Sequence, residues 1–361
     1  MAVDSGVRLD ALHTALDQIA PGTQLREGLD RIVRAKMGAL VVVGDGTDVL
    51  NICSGGFLLD ARYSPQRLSE LAKMDGAIIL APDATRIARA NVHLVPDPSV
   101  PTSETGTRHR TAERVARHLR HVPVISVSEE MSMLTVYVGD QRHVLQEIPR
   151  LLDKGSQALQ TLGRYTARLE ESVSNLAALE VEDLVTMRDA AMVIQRSEMV
   201  RRIADEIETM IVELGVDARL LRLQLDELYG DTQTDLGLVV RDYLPDGAQR
   251  SSAEVFSELA GTPDDRLLDL HSVAVTMCWG GEDVELDQPL QPRGYRLLAE
   301  VPRLSPEIAE AVVDRYGSLH RVMRATTEDL AQCPGVDVTK ARAIKDGLAR
   351  LVEASILDQY G

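Results

Sequence analysis

The chain has 361 residues, 44% apolar and only 3% aromatic, with a formal net charge of −17. Such a length calls for about two or three domains, and the shortage of rings excludes a single-strand nucleic-acid binder that stacks bases on aromatics. The charge is local, −1 over residues 1–145, −16 over residues 146–288 and 0 over residues 289–361, so a DNA surface is excluded from the middle, where phosphates are repelled.

Three cysteines, at positions 53, 278 and 333, fit neither a disulfide framework nor a zinc spacing. The opening Met1-Ala2-Val3-Asp4 has no charged leader followed by an apolar stretch. The longest apolar run, Ala39–Val43, is too short to span a bilayer. These features predict a cytoplasmic protein without a membrane segment.

Residues 8–36 read as two helices broken at Pro21-Gly22. Ala39–Val43 is a buried-strand run closed by Gly44-Asp45-Gly46, and Val49–Cys53 reads as a second strand ending in Ser54-Gly55-Gly56. Ser64-Pro65 is an N-cap followed by a first-turn proline, opening a helix to Met74. Ala77–Leu80 and Ile87–Leu94 are strands, residues 95–105 a Pro/Ser/Thr loop, Thr107–Leu119 a helix, and Val122–Val127 and Leu134–Val138 strands. Interleaved helices and strands predict an α/β domain with a mixed central sheet.

From about residue 140 to 230 the apolar period becomes that of helices, with Leu176, Leu179, Leu184, Met187 and Ile194 to Leu214 recurring at three- and four-residue steps. An all-α spacer is expected there. Residues 245–265 read as loop-rich and residues 271–288 as a linker with some structure. Two helix–turn–helix units close the chain: Leu297–Val301 to Pro306–Tyr316 across Pro302–Ser305, and Glu328–Cys333 to Val338–Leu351 across Pro334-Gly335-Val336-Asp337. Domain boundaries are expected at 1–145, 146–288 and 289–361.

Two strings concentrate the chemistry. Asp75-Gly76-Ala77 sets one carboxylate beside two residues with almost no side chain, so a nucleotide can approach the backbone. Gly106-Thr107-Arg108-His109-Arg110-Thr111 packs two guanidiniums and an imidazole into a helix start, where forked donors, free N–H groups and the dipole all favour phosphate. Taken alone, the first string is an ordinary helix C-cap, and Arg108 and Arg110 could be surface ion pairs. Ser128-Glu129-Glu130 adds carboxylates at the next strand end. Neither a Ser/His/Asp set nor a P-loop string is present.

The strings stand in longer context: Lys73–Leu80, Asn91–Pro96 and Glu104–Ala112, in that order. Residues 35–138 resemble the diadenylate cyclase domain, in the form found in the DNA-integrity-scanning family. The resemblance implies a nucleotidyltransferase that joins two ATP into cyclic di-AMP and two pyrophosphates, between domains meeting face to face in a homo-oligomer. It implies Mg²⁺ or Mn²⁺ held by Asp75, which helps activate the 3′-hydroxyl. Gly76 and Ala77 would line ribose and base, and the Leu94 backbone would read adenine. Thr107, Arg108, His109, Arg110 and Thr111 would hold the phosphates, with Ser128 beside them and Glu129 near the metal. Met131-Ser132 departs from the Thr-Gly common in the family.

Cys333–Ile344 resembles a helix–hairpin–helix, which binds DNA backbone without sequence preference. Gly335, Val336, Lys340 and Arg342 would carry that contact, and branched DNA is the expected partner. Asp337 replaces the usual second glycine and puts a negative charge at the DNA end, while Pro302–Ser305 lacks glycine altogether. The rival reading is a non-catalytic ATP-binding repair scaffold.

Overall fold

The computed structural model describes residues 3–130, 133–230, 232–245, 250–281, 283–302 and 304–360. Met131-Ser132 and Arg303 lie outside the described residues. Contacts divide the chain into two units, residues 3–158 with 206–224, and residues 159–205 with 225–361.

The first unit opens with helices α1 (Val3–Gln18) and α2 (Gln24–Arg34), then strand β1 (Ala39–Val43). There follow α3 (Thr47–Asn51), β2 (Cys53–Ser54), β3 (Phe57–Arg62), α4 (Pro65–Leu71), β4 (Ala77–Leu80) and β5 (Arg86–Leu94). Then come α5 (Thr107–Leu119), β6 (Val124–Val127), β7 (Leu134–Val138) and β8 (Gln141–Val144). The sheet runs β2-β5-β4-β1-β6-β7-β8, with β3 also paired to β5. It is mixed: β1 and β4 are parallel, and the neighbouring pairs β1–β6 and β4–β5 are antiparallel.

Helices cover both faces, so the central strands β1, β4, β6 and β7 are buried throughout. Val41, Val43, Ile78, Leu80 and Ile125 pack with Leu16, Leu29 and Ile32 on one face. Val42, Ile79, Val92 and Val124 pack with Ala112, Val115, Ala116 and Leu119 of α5 on the other.

Two local readings change. The segment expected as a second strand, Val49–Cys53, is mostly helix. Gly46 is extended as the N-cap and Asp48 sits in the first turn, so the cap signals outweigh the apolar run. The strand β3 was not expected, because Phe57, Leu58 and Leu59 are exposed and show no alternation.

The second stretch is helical, as its period requires. It contains α6 (Ile148–Glu182), α7 (Met187–Leu214), α8 (Arg219–Tyr229), α9 (Thr232–Tyr243), α10 (Ser252–Gly261), α11 (Asp264–Leu267) and α12 (Leu270–Thr276). Residues 245–265 are therefore less loop than expected: Ser251 and Glu254 form a reciprocal capping box that starts α10. The C-terminal helices are α13 (Tyr295–Ala299), α14 (Pro306–Tyr316), α15 (Leu319–Arg324), α16 (Thr327–Leu330) and α17 (Val338–Tyr360), packed around Leu298, Val312, Leu330 and Ile344.

Candidate active site

Helix α5 has an unusual start. Its N-cap, Gly106, offers no side-chain acceptor, and its first turn contains no acid. Arg108 and Arg110 stand there instead, where the dipole is already positive. Arg110 is exposed, and its guanidinium makes no hydrogen bond or ion pair among the described residues. Two like charges at an uncapped helix start make a place for an anion.

The loop before α5 is fixed from inside the helix. The buried Glu113 carboxylate accepts from the Thr102 hydroxyl, from the Ser103 N–H at 3.0 Å and from the Glu104 N–H at 3.3 Å. Burial alone raises its pKa, but these hydrogen bonds and Arg117 outweigh that and hold it below the usual carboxylate value. Glu104 is thereby aimed back across the site. It accepts from Arg142 Nε at 2.5 Å and from the Tyr137 hydroxyl at 2.9 Å. The same hydroxyl lies 2.8 Å from His109 Nδ1, and the two rings meet edge to face at 6.1 Å. Burial lowers the His109 pKa below its ordinary 6.5, Glu104 opposes this, and Arg142 and Arg108 reinforce it.

A cleft of about 590 Å³ runs past this start. Asp75, Thr107, Arg108, His109, Ser128 and Glu129 all line it. Six residues singled out from separate parts of the sequence are thus brought together by β4, α5 and the end of β6. Glu129 comes within 4.0 Å of Arg108. The Asp75 carboxylate is exposed and has no partner among the described residues.

Gly76, Ala77, Leu94, Arg110 and Thr111 are not on that lining. Gly76 N–H donates to Asn91 Oδ1 at 3.1 Å, and a Cβ on Gly76 would collide with the Asn91 backbone, which cannot give way. Ala77 is buried and pairs with Val92. Leu94 is buried and pairs with Cys53 of β2. Thr111 Oγ1 donates to Thr107 O at 2.9 Å inside the helix.

Sequence reasoning missed several residues that shape the site. Gly38 packs under the Arg108 guanidinium, and a side chain there would push it away. Asn91 holds a positive φ of 53° at an irregularity between β4 and β5, placing its amide under Gly76. Glu104, Tyr137 and Arg142 form the chain behind His109. Among the described residues, no three His, Cys, Asp or Glu side chains come together as a metal cage.

At the other end, Gly335 holds φ at 76°, and that conformation rather than crowding explains the glycine. Asp337 is the cap of α17: its Oδ1 accepts from Lys340 N at 2.8 Å, and its carbonyl accepts from Ala341 N. The Lys340 ammonium donates to Gly335 O at 2.9 Å, and Val336 is buried. Arg342 is exposed and unpaired among the described residues.

Fold and site define a nucleotide-binding α/β domain followed by helical modules. Family models say the same in sequence terms. Residues 26–142 match the DisA bacterial checkpoint controller nucleotide-binding domain. Residues 145–286 match the DisA linker region, and residues 295–350 a SAM-like helix-hairpin-helix tandem. The chain is 52% identical to the DNA integrity scanning protein DisA of Frankia alni, over 97% of this chain and 98% of that one. It is 52% identical to the protein of that name from Acidothermus cellulolyticus, over 97% and 96%, and 46% identical to that of Streptomyces coelicolor, over 97% and 94%. This chain belongs to the DisA family of DNA integrity scanning proteins, nucleotidyltransferases of the diadenylate cyclase class with a DNA-binding helix-hairpin-helix module. No helix among the described residues is long and apolar enough to cross a membrane.

Proposed function

We propose that the cleft binds one ATP and that two such domains, face to face in a homo-oligomer, condense two ATP into cyclic di-AMP. In each half-reaction the 3′-oxygen of one nucleotide loses its proton and bonds to the α-phosphorus of the other, and the bond to pyrophosphate breaks. In-line transfer at phosphorus is won by positioning and charge neutralisation. The observation that carries this reading is the uncapped start of α5, whose Thr107, Arg108 and His109 share one cleft with the free carboxylate of Asp75.

The roles follow the resemblance. Thr107, Arg108, His109, Arg110 and Thr111 hold phosphates, with Ser128 beside them and Glu129 in support. Gly76 and Ala77 line ribose and base, and the Leu94 backbone reads adenine. Asp75 fits Mg²⁺ or Mn²⁺ as a single hard-oxygen ligand, with the remaining positions left to phosphates and water, the usual arrangement for Mg²⁺ at a triphosphate. When bound, the ion neutralises charge and makes the 3′-hydroxyl more acidic. Exposed Phe57, Leu58 and Leu59 on β3, with Met74 and Val95 beside Asp75 and Leu94, are apolar surface that an assembly of copies covers.

We further assign the modules as 1–145, 146–288 and 289–361, in a cytoplasmic protein. Gly335, Val336, Lys340 and Arg342 contact DNA backbone, and branched DNA bound there suppresses synthesis. The decisive experiment is chromatography of the purified chain with ATP and Mg²⁺ or Mn²⁺. Cyclic di-AMP is the expected product. Bound but unreacted ATP establishes the scaffold reading instead.

A further inference from the structure

His109 carries an atom without an evident use. Its Nε2 has almost no exposed surface in the empty cleft and no hydrogen-bond partner among the described residues, although the residue lines the cleft. The other ring nitrogen is tightly specified. Arg142 pairs with Glu104, and Tyr137 spends its single hydroxyl proton on that carboxylate at 2.9 Å. The phenol oxygen therefore turns a lone pair toward His109 Nδ1, 2.8 Å away. Only Nδ1–H satisfies that contact, since the other tautomer would set two lone pairs against each other. In the neutral ring Nε2 is then a bare acceptor.

We propose that Tyr137 and Glu104 are positioning residues that pin the His109 Nδ1–H, so that nucleotide binding in this cleft uncovers Nε2 and protonates it, and the Nε2–H then donates to a phosphate oxygen. The inference rests on the cyclase-site reading above, because the nucleotide's phosphates are what Nε2 meets. The charged groups facing the ring are Arg108 on α5, Arg142 on β8 and Glu104 in the preceding loop, beside the neutral Tyr137 phenol on β7. Of these only Glu104 favours the imidazolium, and burial opposes it. A polyphosphate reverses that balance. The Tyr137–Glu104 relay then stabilises the cation from behind, as a buried carboxylate does for a catalytic imidazole.

The test is calorimetric titration of the full chain with Mg²⁺ and an ATP analogue lacking the 3′-hydroxyl, at about pH 7.5, in buffers of different ionisation enthalpy. Wild type is expected to take up roughly one proton per nucleotide bound. Tyr137→Phe should take up less than half as much and bind about tenfold more weakly, as expected for loss of a hydrogen bond to a charged group. In steady state the same variant should raise KM more than it lowers kcat, and increasingly so at higher pH. Glu104→Gln keeps the shape and an acceptor for Tyr137 and removes the charge, so it stands in if the phenylalanine variant does not fold; its uptake should also fall by at least half. Normal binding without proton uptake in wild type overturns the inference and leaves the cyclase reading standing. Unchanged uptake in both variants overturns the relay. Absence of nucleotide binding overturns the cyclase reading, and this inference with it.

Discussion

Two helix starts in this chain solve the same electrostatic problem in opposite ways. At α13 the protein supplies its own acceptor. Asp242, from α9, accepts from the N–H groups of Gly294, Tyr295 and Arg296 at 2.7, 2.6 and 3.0 Å. Behind it Arg296 is buried against Glu180, which also accepts from the Tyr243 hydroxyl at 2.5 Å. At α5 no side chain caps the start, and two arginines crowd the first turn, each costing about 0.3–1 kcal/mol against the dipole. A start that is filled from within needs nothing more; one left open and overcharged favours an anion from outside.

The comparison breaks most visibly at Asp75. Asp75→Asn preserves shape and removes the charge that shares the cleft with α5, so cyclic di-AMP synthesis should drop by about a thousandfold while the ligand-free melt stays put. Near-normal activity sinks the assigned role. Mixed with wild type after subunit exchange, the variant should also poison its partners if each domain is half a site.

The mirror experiment is Asp242→Ala. It strips three N–H groups of their acceptor in a buried place, and should cost about 2–4 kcal/mol of stability without altering the chemistry at α5. The same residue gives a pH signature. Burial, and then the neighbouring Glu180, push its pKa up from 3.8 to about 7. The folded chain therefore holds a proton that the unfolded chain releases. This contribution is complete below pH 3.8 and is lost as pH rises through 7. Melting in Asp242→Asn, which has no proton to lose, should lack that decline.

The smallest effect sharpens a third start, at α17, where Asp337 is the cap and Gly335 holds the turn. Gly335→Glu should weaken branched-DNA binding at least tenfold and relieve any inhibition of synthesis by DNA, leaving DNA-free synthesis intact. Equal binding by variant and wild type overturns the hairpin assignment.

What could be read from the sequence divides along the same line. The cationic start of α5 could be read because it lies within six consecutive residues, whereas Asp75-Gly76-Ala77, an ordinary helix C-cap taken alone, stood out only through the family resemblance. Asp242 was not legible, since it caps a helix that begins 53 residues later in the chain. Nor was the Glu104–Tyr137–Arg142 chain, whose members meet across a sheet edge at separations of 33 and 38 residues. Asp337 was read only as a charge opposed to DNA; its second role, capping α17 through the Lys340 N–H, needed the structure. The capping box at Ser251 and Glu254 was local and could have been found. The helix at Thr47–Asn51 shows the converse, because a short apolar run is ambiguous until its cap is weighed.

The open start of α5 also bears on which form of the protein is common. An electrostatic penalty in the empty state is a bonus in the filled one, and mass action adds about 2.7 kcal/mol when ligand stands at a hundred times its dissociation constant. On the proposed ATP-site reading, the empty cleft is the scarce species wherever nucleoside triphosphates are abundant. A thermal-shift screen of this chain should then rank polyanions by how well they quiet two arginines and a row of free amides, before any chemistry is measured.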